Sequence, residues 1–180
     1  VRGHSALLVE QTGVLRTQEL VRSLVKEAEA LRVEVLLGME VTSLERDASA
    51  ESRDRWEIHV NGASGGGFVA PHVIDAAGLG ADQVARLAGI DTDAHGLTQR
   101  YCKGTWLALG ERYRKAVGRL VYPVPHVSGG GAHAGVTSLG IHLTRDLEGF
   151  LFAGPDAEWI ERPDFALDVT KAERFAEALQ

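Results

Sequence analysis

Four residues in the second half of the chain carry side chains suited to proton and charge chemistry. His142 sits in LGIHLT, and an imidazole, which titrates near neutral pH, can take a proton from a bound molecule. Thr144 lies two residues further on, hence on the same face if the segment is a strand. Lys103, just before Gly104, offers a cation, and Tyr122 in VYPVP offers a phenol. Each also has a plainer reading. A lone histidine on an alternating strand is more often structural, an isolated lysine is usually solvated, and a strand tyrosine is as often a half-buried aromatic with a satisfied hydroxyl.

Other chemistries find less support. His126 stands just before SGGGAHAG and His133 within it, a loop long enough to act as a lid, but no carboxylate stands at ligand spacing, so no metal is expected. The single cysteine, Cys102, excludes an internal disulfide and a cysteine zinc site, and its neighbours Tyr101 and Trp106 favour a small buried hydrophobe. No GxSxG elbow occurs, and the remaining Asp and Glu residues read as solvated faces.

A second stretch, VIDAAGLG over residues 73–80, is an apolar run ending in an acid, two alanines and two glycines. Such a run suits a strand covered on both faces, and its glycines let the backbone turn sharply or lie against a flat or anionic ligand. An ordinary strand-to-helix connection has the same pattern, and short glycine motifs match by chance.

The elements that must position these residues follow from periodicity. Leu20, Val21, Leu24, Val25, Ala28 and Leu31 recur at three- and four-residue spacings, which predicts a helix over 18–32 with Thr17 as its cap. A strand over 33–37 would then complete half of a βαβ crossover. Strands are expected over 40–46, 56–60 and 68–74, with NGASGGG as a loop, and a short helix over 81–88. Beyond residue 98 the segments QRYCKGTWLAL, GRLVYPVP, SLGIHLTRD and FLFAGPDAEWI all read as strands of an antiparallel sheet. A final helix begins near Thr170, which stands three residues before Glu173 as in a capping box. The fold class is α+β.

Composition bounds the partners. With 44% apolar and 24% charged residues the chain is globular, and its net charge of -6 argues against nucleic acid. No window is long and apolar enough for a membrane span, and a cytoplasmic location, peripheral to the inner membrane at most, is the expectation.

Six blocks in order, TGVLRTQELVRSLVKEAEALRVEVLLGMEVTSLERD, VIDAAGLGADQVARLAGI, KGTWLAL, LVYPVP, LGIHLTRDLEG and GPDAEW, resemble the FAD-dependent oxidoreductases of the D-amino-acid-oxidase superfamily, most closely the L-2-hydroxyglutarate dehydrogenase or oxidase branch. The resemblance implies FAD as cofactor, with Ala77, Gly78 and Leu79 approaching its pyrophosphate or ribityl chain and the backbone near Val41 holding the adenine. It implies a small 2-hydroxy acid as substrate, His142 as the base, Thr144 beside it, Lys103 as a cation near the flavin and Tyr122 as a donor to the carboxylate. Amine or amino-acid oxidation, and a catalytically silent domain, are the rival readings.

The superfamily opens on a GxGxxG turn, and this chain contains none. The resemblance therefore implies an interior fragment, with a partial FAD-binding segment over 1–95 and a truncated substrate domain over 96–180. The parent enzyme would act on CH–OH donors. The fragment alone is expected to be inactive, to bind FAD weakly or not at all, and to self-associate through uncovered surface near residues 73–76.

Overall fold

The computed structural model describes residues 4–47, 55–62, 66–124 and 140–179, so His126 and His133 lie outside the described residues. The chain divides into two units, one of residues 25–100 and one of residues 1–24 with 101–180. Helix α1 (Thr17–Ala30) runs across that division and buries none of its residues, although its apolar stripe follows the expected spacing.

In the unit of residues 25–100, β1 (Glu40–Arg46), β2 (Trp56–Asn61) and β3 (Gly66–Ala70) form an antiparallel meander in that order. Trp56, Ile58 and Val60 alternate with Glu57, His59 and Asn61, and only the first set turns away from solvent. On β1 the register shifts between Val41 and Ser43, so that the inward positions change from Val41 and Ser43 to Leu44. Leu44 and Val60 are the buried apolar residues here. Helix α2 (Ala81–Leu87) packs against β1 and follows a 3-10 turn over Gly78–Gly80.

The other unit holds a two-stranded ribbon, β4 (Tyr101–Lys103) with β8 (Glu158–Ile160), and a three-stranded sheet. That sheet runs β5 (Leu107–Ala108), β7 (Leu151–Gly154), β6 (His142–Arg145), all antiparallel. Leu151 and Ala153 of β7 and Phe175 of α3 (Ala172–Ala178) form its buried apolar set.

The α+β class and the antiparallel second half agree with the sequence, and several local expectations do not. Residues 33–37 and 73–76 pair with no strand among the described residues, so no βαβ crossover forms. Apolar content makes a run compatible with a buried strand, but a strand exists only where another backbone supplies the ladder. Around Tyr122 the expected strand reduces to one bridge, Val121 with Leu143. The capping box gives way to Asp168, whose carboxylate accepts from the Thr170 N–H at 2.9 Å and starts the 3-10 turn Val169–Lys171 that leads into α3. Cys102 is exposed rather than buried, because it stands on a ribbon of only two strands. Asp82 and Asp156 are buried, against the reading of the acids as solvated faces.

Candidate functional site

His142 opens β6 and is 7% exposed. The reciprocal bonds between Val121 and Leu143, each 2.9 Å, bring the chain before Pro123 alongside β6. Tyr122 thereby lies over the imidazole, with ring centroids 4.4 Å apart and a tilt of 31°. Trp106, which immediately precedes β5, meets the same ring edge-on at 5.2 Å. The imidazole Nδ1 is 3.1 Å from the Gly140 carbonyl oxygen. A carbonyl only accepts, so in the neutral ring Nδ1 carries the proton and Nε2 is the basic nitrogen. Thr144, paired with Phe152, is on the same face of β6 and half-buried.

Lys103 ends β4, and its ammonium donates to Asp164 Oδ2 and to the Ala166 carbonyl, both at 2.7 Å. Only 16% of its side chain is exposed. The bond from Lys103 is the chief influence holding the Asp164 carboxyl below its usual value. The cation is thus engaged by a carboxylate, the functional group expected of a substrate.

Sequence reasoning missed the charged group two residues beyond Gly154, the strand partner of His142. Asp156 Oδ1 accepts the Thr105 N–H at 2.7 Å, and the Asp156 N–H donates back to the Thr105 carbonyl at 3.2 Å. Its side chain is fully buried, with the Lys171 ammonium 3.0 Å from Oδ2 in an ionic contact without the direction of a hydrogen bond. Lys171 also donates to Glu158 at 2.6 Å. Burial acts most strongly on the Asp156 carboxyl and pushes it up, but the Thr105 N–H and the Lys171 charge together bring it below its usual value. The bond to Glu158, above all, raises Lys171. Asp156 and Lys171 stand 15 positions apart, and no local motif joins them.

In the unit of residues 25–100, the VIDAAGLG stretch forms an exposed turn. Asp75 Oδ1 accepts the Ala77 N–H at 3.0 Å, and Gly78 takes φ +59°, the left-handed region open to glycine. A Cβ at Gly78 would find nothing within 4 Å, and Leu79 is exposed. Gln99 Nε2 donates to the Gly78 carbonyl at 2.9 Å, and Asp82 Oδ2 accepts the Gln99 N–H at 3.4 Å and pairs with Arg86 at 3.1 Å. Asp82 Oδ1 and Gln99 Oε1 are buried acceptors without a hydrogen-bond partner among the described residues. An open glycine turn beside unpaired acceptors fits a ligand that presents a flat or anionic group together with hydroxyl donors. Val41, the other expected contact, begins the β1 bulge opposite Val60 and is half-buried. Among the described residues no group of three His, Cys, Asp or Glu is arranged to hold a metal, and no helix is long and apolar enough to cross a membrane.

Residues 2–180 match the family described as DAO, FAD dependent oxidoreductase, and the chain belongs to that family. It is 38% identical over 95 residues to the mitochondrial L-2-hydroxyglutarate dehydrogenase of Arabidopsis thaliana, covering 51% of this chain and 17% of the relative. It is 24% identical over 157 residues to the L-2-hydroxyglutarate dehydrogenase of an Escherichia coli strain, covering 87% of this chain and 33% of the relative. The mitochondrial L-2-hydroxyglutarate dehydrogenase of Mus musculus is 27% identical over 160 residues, covering 87% and 32%. The chain spans a third or less of the length of these relatives.

Proposed function

We propose that this chain supplies the base and part of the cofactor cradle of a flavoprotein that oxidises a 2-hydroxy acid of the L-2-hydroxyglutarate type. The observation that carries the reading is His142, buried between Tyr122 and Trp106 with its Nδ1 held by a carbonyl, which leaves Nε2 to act as base. The names of the relatives, L-2-hydroxyglutarate dehydrogenases, support this choice of substrate class. In this reading residues 1–95 belong to the FAD-binding part and residues 96–180 to the substrate part.

Bound FAD would accept the two electrons of the oxidation. His142 Nε2 takes the hydroxyl proton of the substrate while hydride leaves the adjoining carbon. Tyr122 and Thr144 orient the substrate's oxygens, and Lys103 receives a substrate carboxylate in exchange for Asp164, a like-for-like replacement at one ammonium. On the cofactor side Ala77, Gly78 and Leu79 would lie along the flavin's ribityl and pyrophosphate region and Val41 near its adenine, with Asp82 and Gln99 as acceptors for its hydroxyls.

Stopped-flow reduction of a flavin-loaded enzyme carrying this sequence tests the assignment. The His142→Ala variant should reduce flavin more slowly than the wild type by about two to four orders of magnitude, with substrate affinity little changed. A wild-type reduction rate would remove His142 from the mechanism.

A further inference from the structure

The proton transfer assigned to His142 makes no direct use of the charged pair Asp156 and Lys171. Three contacts link them to the ring. The paired bonds of 2.7 Å and 3.2 Å fasten the Asp156 backbone and carboxylate to Thr105. Thr105 is followed at once by Trp106, whose edge meets the imidazole at 5.2 Å. Gly154, the strand partner of His142, has no room for a side chain, since a Cβ there would stand 2.7 Å from the Thr105 carbonyl and 3.0 Å from the Trp106 ring. Thr105, Trp106, Gly154 and His142 therefore form one close-packed group, and Asp156 holds its Thr105 end. Lys171 in turn balances the carboxylate, 3.0 Å from Asp156 Oδ2 and 3.5 Å from Thr105 Oγ1.

The final torsion of a histidine is broad, so packing rather than rotamer preference must set the ring plane. Tyr122 covers one face of the imidazole, and Trp106 supplies the edge contact. If the indole withdrew, the ring could turn and Nδ1 would leave the Gly140 carbonyl.

We propose that Asp156 and Lys171 are positioning residues which, through Thr105 and Trp106, hold the His142 imidazole in the Nδ1–H tautomer and so keep Nε2 as its basic nitrogen. The inference rests on the reading of His142 as the base, but its test does not need turnover. The imidazole nitrogens of the 180-residue chain, labelled with ¹⁵N at histidine, are observed by NMR in mildly alkaline buffer, and the His142 pair is assigned by its loss in His142→Ala. The wild type should show one protonated and one unprotonated nitrogen for His142.

Lys171→Met should replace that pattern with an exchange-averaged pair, because the buried carboxylate, left with only the exposed Arg174 guanidinium 3.8 Å away, must turn toward it and leave its place. Lys171→Arg should retain the wild-type pattern. The double variant Asp156→Asn/Lys171→Met should restore it, since a neutral amide needs no counter-ion and its oxygen still accepts from Thr105. If Lys171→Met does not fold, Asp156→Ala serves in its place, because Glu158 remains as partner to Lys171. An averaged pair in the wild type, or an unchanged single-tautomer pattern in a folded Lys171→Met or Asp156→Ala protein, would overturn the proposal. Failure of the base assignment itself would appear elsewhere, as wild-type flavin reduction by His142→Ala.

Discussion

Two glycines with positive φ stand at opposite extremes of crowding. Gly154, in the unit that holds His142, has φ +143° and no space for a Cβ, while Gly78, in the other unit, has φ +59° and nothing within 4 Å. Both positions reject side chains on backbone grounds, but only Gly154 rejects them on packing grounds as well. The contrast extends to their surroundings. His142 and Asp156 are buried beside an aromatic pair and a balancing lysine, whereas in the other unit Ile74 is 90% exposed and two buried acceptors lack hydrogen-bond partners among the described residues. The region of proposed proton chemistry is closed by its own residues. The region of proposed cofactor contact presents open surface.

Substitutions at matched positions would break or sharpen that contrast. Gly154→Ala should be the most damaging, costing about 4 kcal/mol in urea unfolding, because backbone strain adds to a collision with the Thr105 carbonyl. A cost equal to that of Gly78→Ala would dissolve the comparison. Lys171→Met follows, at about 3 kcal/mol, since it removes the nearer cation and leaves the buried Asp156 carboxylate with only the exposed Arg174 guanidinium, 3.8 Å away.

The same pair makes stability depend on pH, with opposite signs at the two ends of the scale. The folded Asp156 carboxyl lies below its ordinary 3.8, so its stabilisation is present above that value and is lost as pH falls through the lower folded one. The folded Lys171 lies above its ordinary 10.5, so its contribution holds below that value and disappears as pH rises through the higher one. Urea midpoints for Asp156→Asn should fall less steeply on acidification below pH 3.8 than those of the wild type. An identical acid limb would show that Asp156 is not the titrating group.

Gly78→Ala should cost only about 1 kcal/mol, the strain of a left-handed residue in open space. The smallest effect is expected at the exposed apolar surface. Ile74→Ser should alter unfolding by less than ~0.5 kcal/mol yet reduce self-association in sedimentation velocity. Unchanged sedimentation would mean that the 73–76 surface does not drive association.

Much of this arrangement could be read from residue types, though unevenly. Helix α1 and strand β1 follow directly from their periodicity and alternation, and the family was legible in six ordered blocks. Residues 33–37 and 73–76 misled because apolar content is a local property and strand pairing is not. The capping box at Thr170 and Glu173 lost to Asp168, whose short carboxylate reaches the Thr170 N–H directly. The aromatic setting of His142 depends on Trp106 and Tyr122, which lie 36 and 20 positions away in sequence. Only the antiparallel pairing brings them together, whereas Asp156 and Lys171 meet where the turn before α3 returns to the loop after β7.

The ion pairs also sort the protein's amines. The sequence has 15 arginines and only four lysines, Lys26, Lys103, Lys115 and Lys171. Lys103 and Lys171 have their ammonium groups bonded to carboxylates and shielded, with 16% and 14% of their side chains exposed, while Lys26 and Lys115 are exposed. An acylating reagent needs the uncharged amine, and the carboxylate partners of Lys171 hold it in the charged form to higher pH. Dyes, cross-linkers and resins that target lysine will therefore attach first at Lys26 and Lys115, one on α1 and one beyond β5, and leave the surroundings of His142 chemically untouched.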